Sequence, residues 1–139
     1  MGSEGNALEE GTVPQLDFEK LRRIAERDQH VVPVVLQDAD GGTVLFVGYA
    51  NVEALRETLR TKRAVLWSTS RDELWRKGET SGDVLDQVEV RVNCEQNSRL
   101  YRVRRRAGGA CHTRDASGRS RSACYYRRLS GSGAVLEFV

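Results

Sequence analysis

The chain has 139 residues, of which 39% are hydrophobic and 30% are charged, a composition typical of one small globular domain. No apolar run approaches the roughly 20 residues of a membrane span, and the polar N-terminus lacks the features of a secretion signal. We therefore expect a cytoplasmic protein without a membrane partner, and the net charge of +2 indicates no other partner by itself.

The N-terminal half alternates between helix and strand patterns. Residues 1–14 are polar and are predicted to be a disordered lead. Asp17 is a candidate cap for a short helix that places Phe18, Leu21 and Ile24 on one side. The β-branched run 31–36 predicts a strand near a sheet edge because Pro33 interrupts it.

A hairpin and a longer helix are predicted next. The turn-forming residues 38–42 separate run 31–36 from a second apolar strand over 43–49. Asn51 is a candidate cap for a helix that extends to about Arg60, with Val52, Leu55 and Leu59 on one face.

The C-terminal half is predicted to be mostly strands. Segment 64–68 is a candidate strand, the valines at 88, 90 and 92 alternate with charged residues, and 100–104 is expected to pair back antiparallel. Residues 114–122 have loop composition, and a glycine joint precedes an apolar tail. We therefore predict a small single α+β domain over 15–129, with mostly antiparallel strands, two or so helices and a C-terminal tail over 130–139.

Segment 67–82 has the composition of a phosphate-binding loop beside a base-stacking aromatic residue. Hydroxyls, glycine amides and basic side chains suit a phosphate group, and a tryptophan can stack on a base. The alternative is a polar loop pinned by two core tryptophans. The candidate substrate-binding residues are Trp67, Ser70, Arg71, Trp75, Lys77, Glu79, Thr80 and Ser81.

The chain contains three cysteines, Cys94, Cys111 and Cys124. An odd number in a reducing compartment argues against a disulfide framework. Three thiolates can instead bind zinc and leave one coordination position for water, but buried cysteines used as small apolar residues explain the same count.

Polar residues beside two of the cysteines extend the candidate site. Oxygens of Asn93, Glu95 and Asn97 flank Cys94 and suit magnesium. His112 follows Cys111 and is a candidate base, metal ligand or supporting hydrogen-bond donor. The other histidine, His30, has no such neighbours.

The C-terminal part is strongly basic. Ten arginines and one acid, Asp115, lie between Arg99 and Arg128. This asymmetry indicates either a surface that faces an anion or a solvated basic face.

Two motifs identify a family. Leu-Trp-x-Lys-Gly-Glu-Thr-Ser-Gly at 74–82 and Gly-Gly-Ala-Cys-His-Thr at 108–113 resemble those of phosphoribosyl-AMP cyclohydrolases, and the resemblance extends from about Leu16 to Arg127. It implies an intertwined homodimer with zinc at the interface, bound by Cys94 of one subunit and by Cys111 and Cys124 of the other.

The resemblance also implies a reaction in histidine biosynthesis. The family substrate is AMP with a second phosphoribosyl group on N1, and water adds at C6 as the N1–C6 bond breaks. His112 is the candidate residue that takes or relays the proton, with a purely supporting role as the alternative. Segment 67–82 and the arginines are the expected phosphate contacts.

Two departures from the family pattern affect substrate recognition. The family turn Asp-Cys-Asp-x-Asp, which binds magnesium, here reads Asn-Cys-Glu-Gln-Asn over 93–97, so magnesium binding is doubtful. Twelve residues separate Cys111 from Cys124 where the family usually has six, and the added loop brings Arg114, Arg119 and Arg121 as candidate substrate contacts.

Two further functions remain open. A divergent paralog would hydrolyse a related purine-like nucleotide in a specialised pathway. A zinc-stabilised dimer would instead bind nucleotides or RNA through its arginines, with Tyr101, Tyr125 and Tyr126 as candidate stacking residues. The favoured interpretation has a small phosphorylated nucleotide and no nucleic acid as the partner.

Overall fold

The computed structural model describes residues 6–139. Within them lie three helices and eight strands: α1 (Ala7–Glu10), α2 (Lys20–Glu26), β1 (Val32–Asp38), β2 (Val44–Ala50), α3 (Val52–Thr61), β3 (Val65–Ser68), β4 (Glu73–Arg76), β5 (Leu85–Val92), β6 (Arg99–Arg105), β7 (Arg127–Leu129) and β8 (Leu136–Phe138). The predicted α+β class with mostly antiparallel strands is confirmed.

The main sheet has the strand order β2-β1-β6-β5. Both hairpins, β1–β2 and β5–β6, are antiparallel as predicted, whereas β1 and β6 are parallel. The prediction of an edge position for the first strand is wrong, because β1 lies between two neighbours. Pro33 is tolerated because the pairing with β6 begins only at Val34.

The core lies between the main sheet and a layer made by α3 and the β3–β4 hairpin. Its largest fully buried side chains include Tyr101, Leu36, Leu45, Leu66 and Leu85. Tyr101 is therefore unavailable for stacking on a nucleic acid.

Helix α3 begins as predicted but buries a different face. The Asn51 side chain accepts from the Ala54 amide at 2.9 Å and caps the helix. Ala54 and Thr58 are fully buried, while Val52 and Leu59 are 62% and 46% exposed. Of the predicted apolar face, Leu55 packs against the core as expected, whereas the prediction is wrong for Val52 and Leu59. Thr58 is buried in their place and satisfies its hydroxyl inside the layer, where it accepts from the Val65 amide at 2.9 Å.

The predicted disordered lead is partly structured. Residues 1–5 lie outside the described residues, but 7–10 form α1, which contacts the C-terminal part of the chain. Asp17 accepts from the Glu19 amide at 2.8 Å just before α2. Of the three apolar residues predicted to share a side of α2, Ile24 is buried, whereas Phe18 and Leu21 are exposed.

The C-terminal tail is a strand. Residues 136–138 pair antiparallel with β7, and the Leu136 amide donates to the Thr12 carbonyl at 2.8 Å. Among residues 6–139, no helix has the length and apolar character needed to cross a membrane.

Candidate active site

A cleft of about 460 Å³ lies between the segment that follows β3 and the loop that contains the last two cysteines. Six of the predicted substrate-binding residues line it, together with His112 and Cys124. These six residues are Arg71, Trp75, Lys77, Glu79, Thr80 and Ser81.

The aromatic wall of the cleft comes from Trp75. Its ring centroid lies 5.9 Å from that of Phe46, which also lines the cleft. Two predicted residues lie elsewhere: Trp67 lines a separate surface depression with Gln29 and His30, and Ser70 lines another beside α2.

A tight turn shapes the floor of the cleft. Gly78 has a φ of +83°, and a Cβ there would lie 2.3 Å from the Asp83 carbonyl carbon and from the Val84 nitrogen. The Gly82 amide closes the turn by donating to the Gly78 carbonyl at 2.8 Å. The glycine at 78 is therefore required by both conformation and space.

Lys77 supports this turn from inside the protein. Only 7% of the residue is exposed, and Nζ donates to the Asp83 carbonyl at 3.0 Å. Burial lowers the pKa of Lys77, while Asp83 and the thiols of Cys124 and Cys111 oppose that shift. The ammonium group therefore contributes positive charge near the two thiols and is not free to reach across the cleft.

Cys111 and Cys124 form a thiol pair beside the cleft. Cys111 is buried and Cys124 is half-buried. Burial, followed by the hydrogen bond with Cys111, raises the pKa of the Cys124 thiol to about 12. A cation bound between the two sulfurs would displace their protons, since metal-bound cysteine is a thiolate.

Thr113 makes two hydrogen bonds with one sulfur of this pair. Its Oγ1 lies 3.1 Å from Cys111 Sγ, and its amide donates to the same sulfur at 3.5 Å. Such contacts orient a thiolate ligand. Thr113 is not among the residues predicted from the sequence, although it lies two positions after a candidate ligand.

The third cysteine is not part of this pair. Cys94 is exposed in the turn after β5, and residues 6–139 of one chain form no cluster of three or more candidate metal ligands. The donor set of two adjacent thiols fits zinc, and a third sulfur would have to come from outside the chain. Delivery of Cys94 by a second subunit stays a prediction.

The turn around Cys94 does not fit magnesium. Asn93 Oδ1 accepts from the amides of Asn97 and Ser98 at 3.0 and 2.9 Å, and Asn93 Nδ2 donates to Asn97 Oδ1 at 2.6 Å. The hydrogen bonds of these groups are made within the turn itself, so the turn needs no cation to hold its conformation. Among the predicted ligands only Glu95 carries a carboxylate, which is too little charge for this hard cation.

His112 lies at the mouth of the cleft. It is exposed, and its Nε2 is hydrogen-bonded to Oε2 of Glu9 in α1. Glu9 is not among the residues predicted from the sequence, because the polar lead has no pattern typical of a helix.

Most arginines of the basic segment have structural partners. In β6, Arg102, Arg104 and Arg105 pair with acids of neighbouring strands and turns, whereas Arg99 donates to backbone carbonyls. Arg121 forms a bidentate pair with Glu10 at 2.7 and 2.8 Å. Arg114 donates to the Gly118 carbonyl at 3.0 Å, inside its own loop. Neither Arg114, Arg119 nor Arg121 lines the cleft.

Comparison with known proteins agrees with this geometry. A family model described as phosphoribosyl-AMP cyclohydrolase matches residues 46–126, which include the whole cleft. The chain belongs to the phosphoribosyl-AMP cyclohydrolase family. The resemblance predicted from the motifs at 74–82 and 108–113 is thus confirmed, and with it the expectation of a cyclohydrolase.

Individual relatives in this family cover most of the chain. The phosphoribosyl-AMP cyclohydrolase of Bordetella parapertussis is 44% identical over 109 residues, which is 78% of this chain and 77% of that protein. The Archaeoglobus fulgidus protein of the same name is 45% identical over 104 residues, 75% of this chain and 90% of that protein. The histidine biosynthesis bifunctional protein HisIE of Thermus thermophilus is 46% identical over 112 residues, 81% of this chain and 49% of that protein.

Proposed function

We propose that this chain is a zinc-dependent hydrolase that opens the purine ring of N1-phosphoribosyl-AMP between N1 and C6, in histidine biosynthesis. The observation that carries the proposal is one cleft lined by Cys124, His112 and the hydroxyl-rich turn after Trp75, with Cys111 buried next to Cys124. Family membership supports the same substrate.

Cys111 and Cys124 would hold the zinc ion, with Cys94 of a second copy of the chain as the third ligand. Zinc, when bound, supplies Lewis-acid activation of the attacking water. The burial of Cys111, the donors of Thr113 and the nearby Lys77 ammonium support a site for thiolate ligands.

The cleft offers separate contacts for the ring and for the phosphates. Trp75 presents an aromatic wall on which a purine can stack. Arg71, Thr80 and Ser81 line the same cleft and are exposed, so they are available to a phosphate group. Trp67 and Ser70 line other surface depressions, so we assign them no contact with the substrate.

His112 would move the proton. Alkylation at N1 makes C6 electrophilic, so water adds there and its oxygen remains on C6 as the carboxamide oxygen. The departing N1 takes up a proton as the N1–C6 bond breaks. An imidazole at the mouth of the cleft can remove the proton of the attacking water and return one to N1.

The test is hydrolysis of N1-phosphoribosyl-AMP by the zinc-loaded protein, followed by ultraviolet absorbance. Wild type and a His30→Gln control should turn over at about 1 s⁻¹ or faster, whereas His112→Ala should lose about 100-fold or more in kcat. No turnover by zinc-loaded wild type would instead point to a related nucleotide as the substrate. The closed Asn93–Asn97 turn makes that the second candidate, because the family's magnesium contact is absent there.

Zinc sharing between chains has its own test. Cys94→Ser and Cys111→Ser should each lose zinc and activity, while a refolded equal mixture should recover about a quarter of the wild-type rate. The quarter follows because half of the dimers are mixed and each mixed dimer has one complete site. Absence of recovery, with both variants folded, would contradict a site shared across two chains.

A further inference from the structure

We propose that Glu9, in the N-terminal lead, is a positioning residue for His112: it holds the imidazole by Nε2 at the mouth of the cleft. The inference rests on the proposed function, because it concerns how the proton-transferring group of that reaction is oriented. The contact itself is an observed hydrogen bond between Glu9 Oε2 and His112 Nε2.

Helix α1 is docked to the protein by its backbone. The Tyr126 hydroxyl donates to the Glu9 carbonyl at 2.7 Å. Arg127 donates from its two terminal nitrogens to the carbonyls of Gly11 and Leu8, both at 2.8 Å. Donors from one C-terminal segment thus satisfy the carbonyls of Leu8, Glu9 and Gly11, which fixes the backbone that carries the Glu9 side chain.

A second anchor comes from the loop that is longer than in the family. Arg121 pairs with both carboxylate oxygens of Glu10, and its guanidinium lies 4.0 Å from the centroid of the Tyr126 ring. The side chain of Arg121 is 13% exposed and that of Glu10 is 37% exposed, so the pair is partly shielded from water, and its bidentate geometry adds to its specificity. Adjacent carboxylates of α1 therefore have separate partners: Glu10 binds the anchor and Glu9 binds the imidazole.

This arrangement gives His112 an orientation that its own loop does not provide. Within one chain its side chain is 76% exposed, so few packing contacts from that chain restrict the ring. A carboxylate that accepts from Nε2–H selects one tautomer and leaves the Nδ1 lone pair free to accept a proton. The pairing of an imidazole with an orienting carboxylate is the arrangement by which proteins align a histidine that transfers protons.

The first test measures the contact without relying on activity. The chain has two histidines, so the His30→Gln background leaves His112 as the one imidazole in ring ¹⁵N spectra. At a pH where the ring is neutral, we expect the Nε2–H tautomer in that background and a mixture of tautomers after Glu9→Ala. Identical ring spectra would overturn the proposal.

The second test measures the consequence for turnover of N1-phosphoribosyl-AMP. Glu9→Ala should lower kcat on the order of tenfold with little change in KM, and Glu9→Gln should lower it less because its amide oxygen still accepts the hydrogen bond. The matched control is Glu26→Gln, which removes the same charge from an exposed pair with Arg22 and should leave kcat unchanged.

A double-substitution cycle separates positioning from a general effect on folding. In the His112→Ala background, Glu9→Ala should cause no further loss of kcat. An equal loss in both backgrounds would overturn the proposal, because Glu9 would then act independently of the imidazole. If wild type fails to hydrolyse N1-phosphoribosyl-AMP, the proposed function fails, and the ring spectra alone decide whether Glu9 holds His112.

Discussion

Two glycines in the turn at the floor of the cleft share a backbone conformation but differ in the space available for a side chain. Gly78 and Gly82 have φ values of +83° and +85°, so alanine at either position costs about 1 kcal/mol of conformational strain. A Cβ at 82 meets nothing within 4 Å, whereas a Cβ at 78 would lie 2.3 Å from backbone atoms of Asp83 and Val84. Only the second clash requires the backbone to move.

That movement sets the expected magnitude. The Asp83–Val84 peptide must shift by about 1 Å to restore ordinary van der Waals contact, and overpacking of this kind costs about 1–3 kcal/mol. The same peptide carries the carbonyl that accepts from Lys77. Gly78→Ala should therefore lower the free energy of unfolding by about 3 kcal/mol and reduce kcat, whereas Gly82→Ala should lose about 1 kcal/mol and retain activity.

Urea unfolding followed by tryptophan fluorescence measures both variants, with one protein concentration throughout because association also changes apparent stability. Losses within about 0.5 kcal/mol of each other would refute the reasoning. Such a result would mean that the positive φ alone accounts for the loss of stability at both positions, and that the Asp83–Val84 peptide leaves room for a Cβ at position 78.

Three other predictions concern the amide turn, the buried hydroxyl and a surface carboxylate. Replacing both Asn93 and Asn97 by aspartate removes their mutual hydrogen bond and places like charges together, so magnesium should raise the melting temperature of that variant but not of wild type. Thr58→Val leaves the buried Val65 amide without its acceptor, so the free energy of unfolding measured in urea should fall by about 1–3 kcal/mol. The control Thr61→Val should lower it by about 0.5 kcal/mol. Ion pairs, first with Arg60 and then with Arg76, lower the pKa of Glu57 from 4.5 to about 2. Its stabilisation is therefore complete above pH 4.5 and lost as the pH falls towards 2, and Glu57→Gln should flatten that part of a plot of stability against pH, whereas an unchanged slope would contradict this assignment.

Local chemistry was enough to predict several elements. The turn composition of 38–42 and the alternating valines of β5 predicted the two hairpins of the main sheet, because side-chain periodicity and turn residues act over a few positions. The capping preference of Asn51 predicted the start of α3 for the same reason. The two long motifs identified the family, and six of the eight residues predicted to bind substrate do line the cleft.

Contacts between distant parts of the chain decided the rest. The central position of β1 depends on parallel pairing with β6, in which paired residues are 65 positions apart, and no local sequence pattern indicates that partner. The positions of the three cysteines likewise depend on the fold. The sheet positions the loops so that Cys111 contacts Cys124, while Cys94 lies apart from both.

The N-terminal lead most clearly shows this difference between local sequence signals and contacts between distant segments. Its polar composition predicts disorder when the segment is considered alone, since it cannot bury enough apolar area to offset the loss of conformational entropy. The donors that order it, Arg121, Tyr126 and Arg127, lie more than 100 residues later. The sequence by itself therefore determined the family and most of the residues that line the candidate cleft. Only the tertiary structure brought Glu9 to His112, because hydrogen bonds between distant segments exist only after the chain has folded.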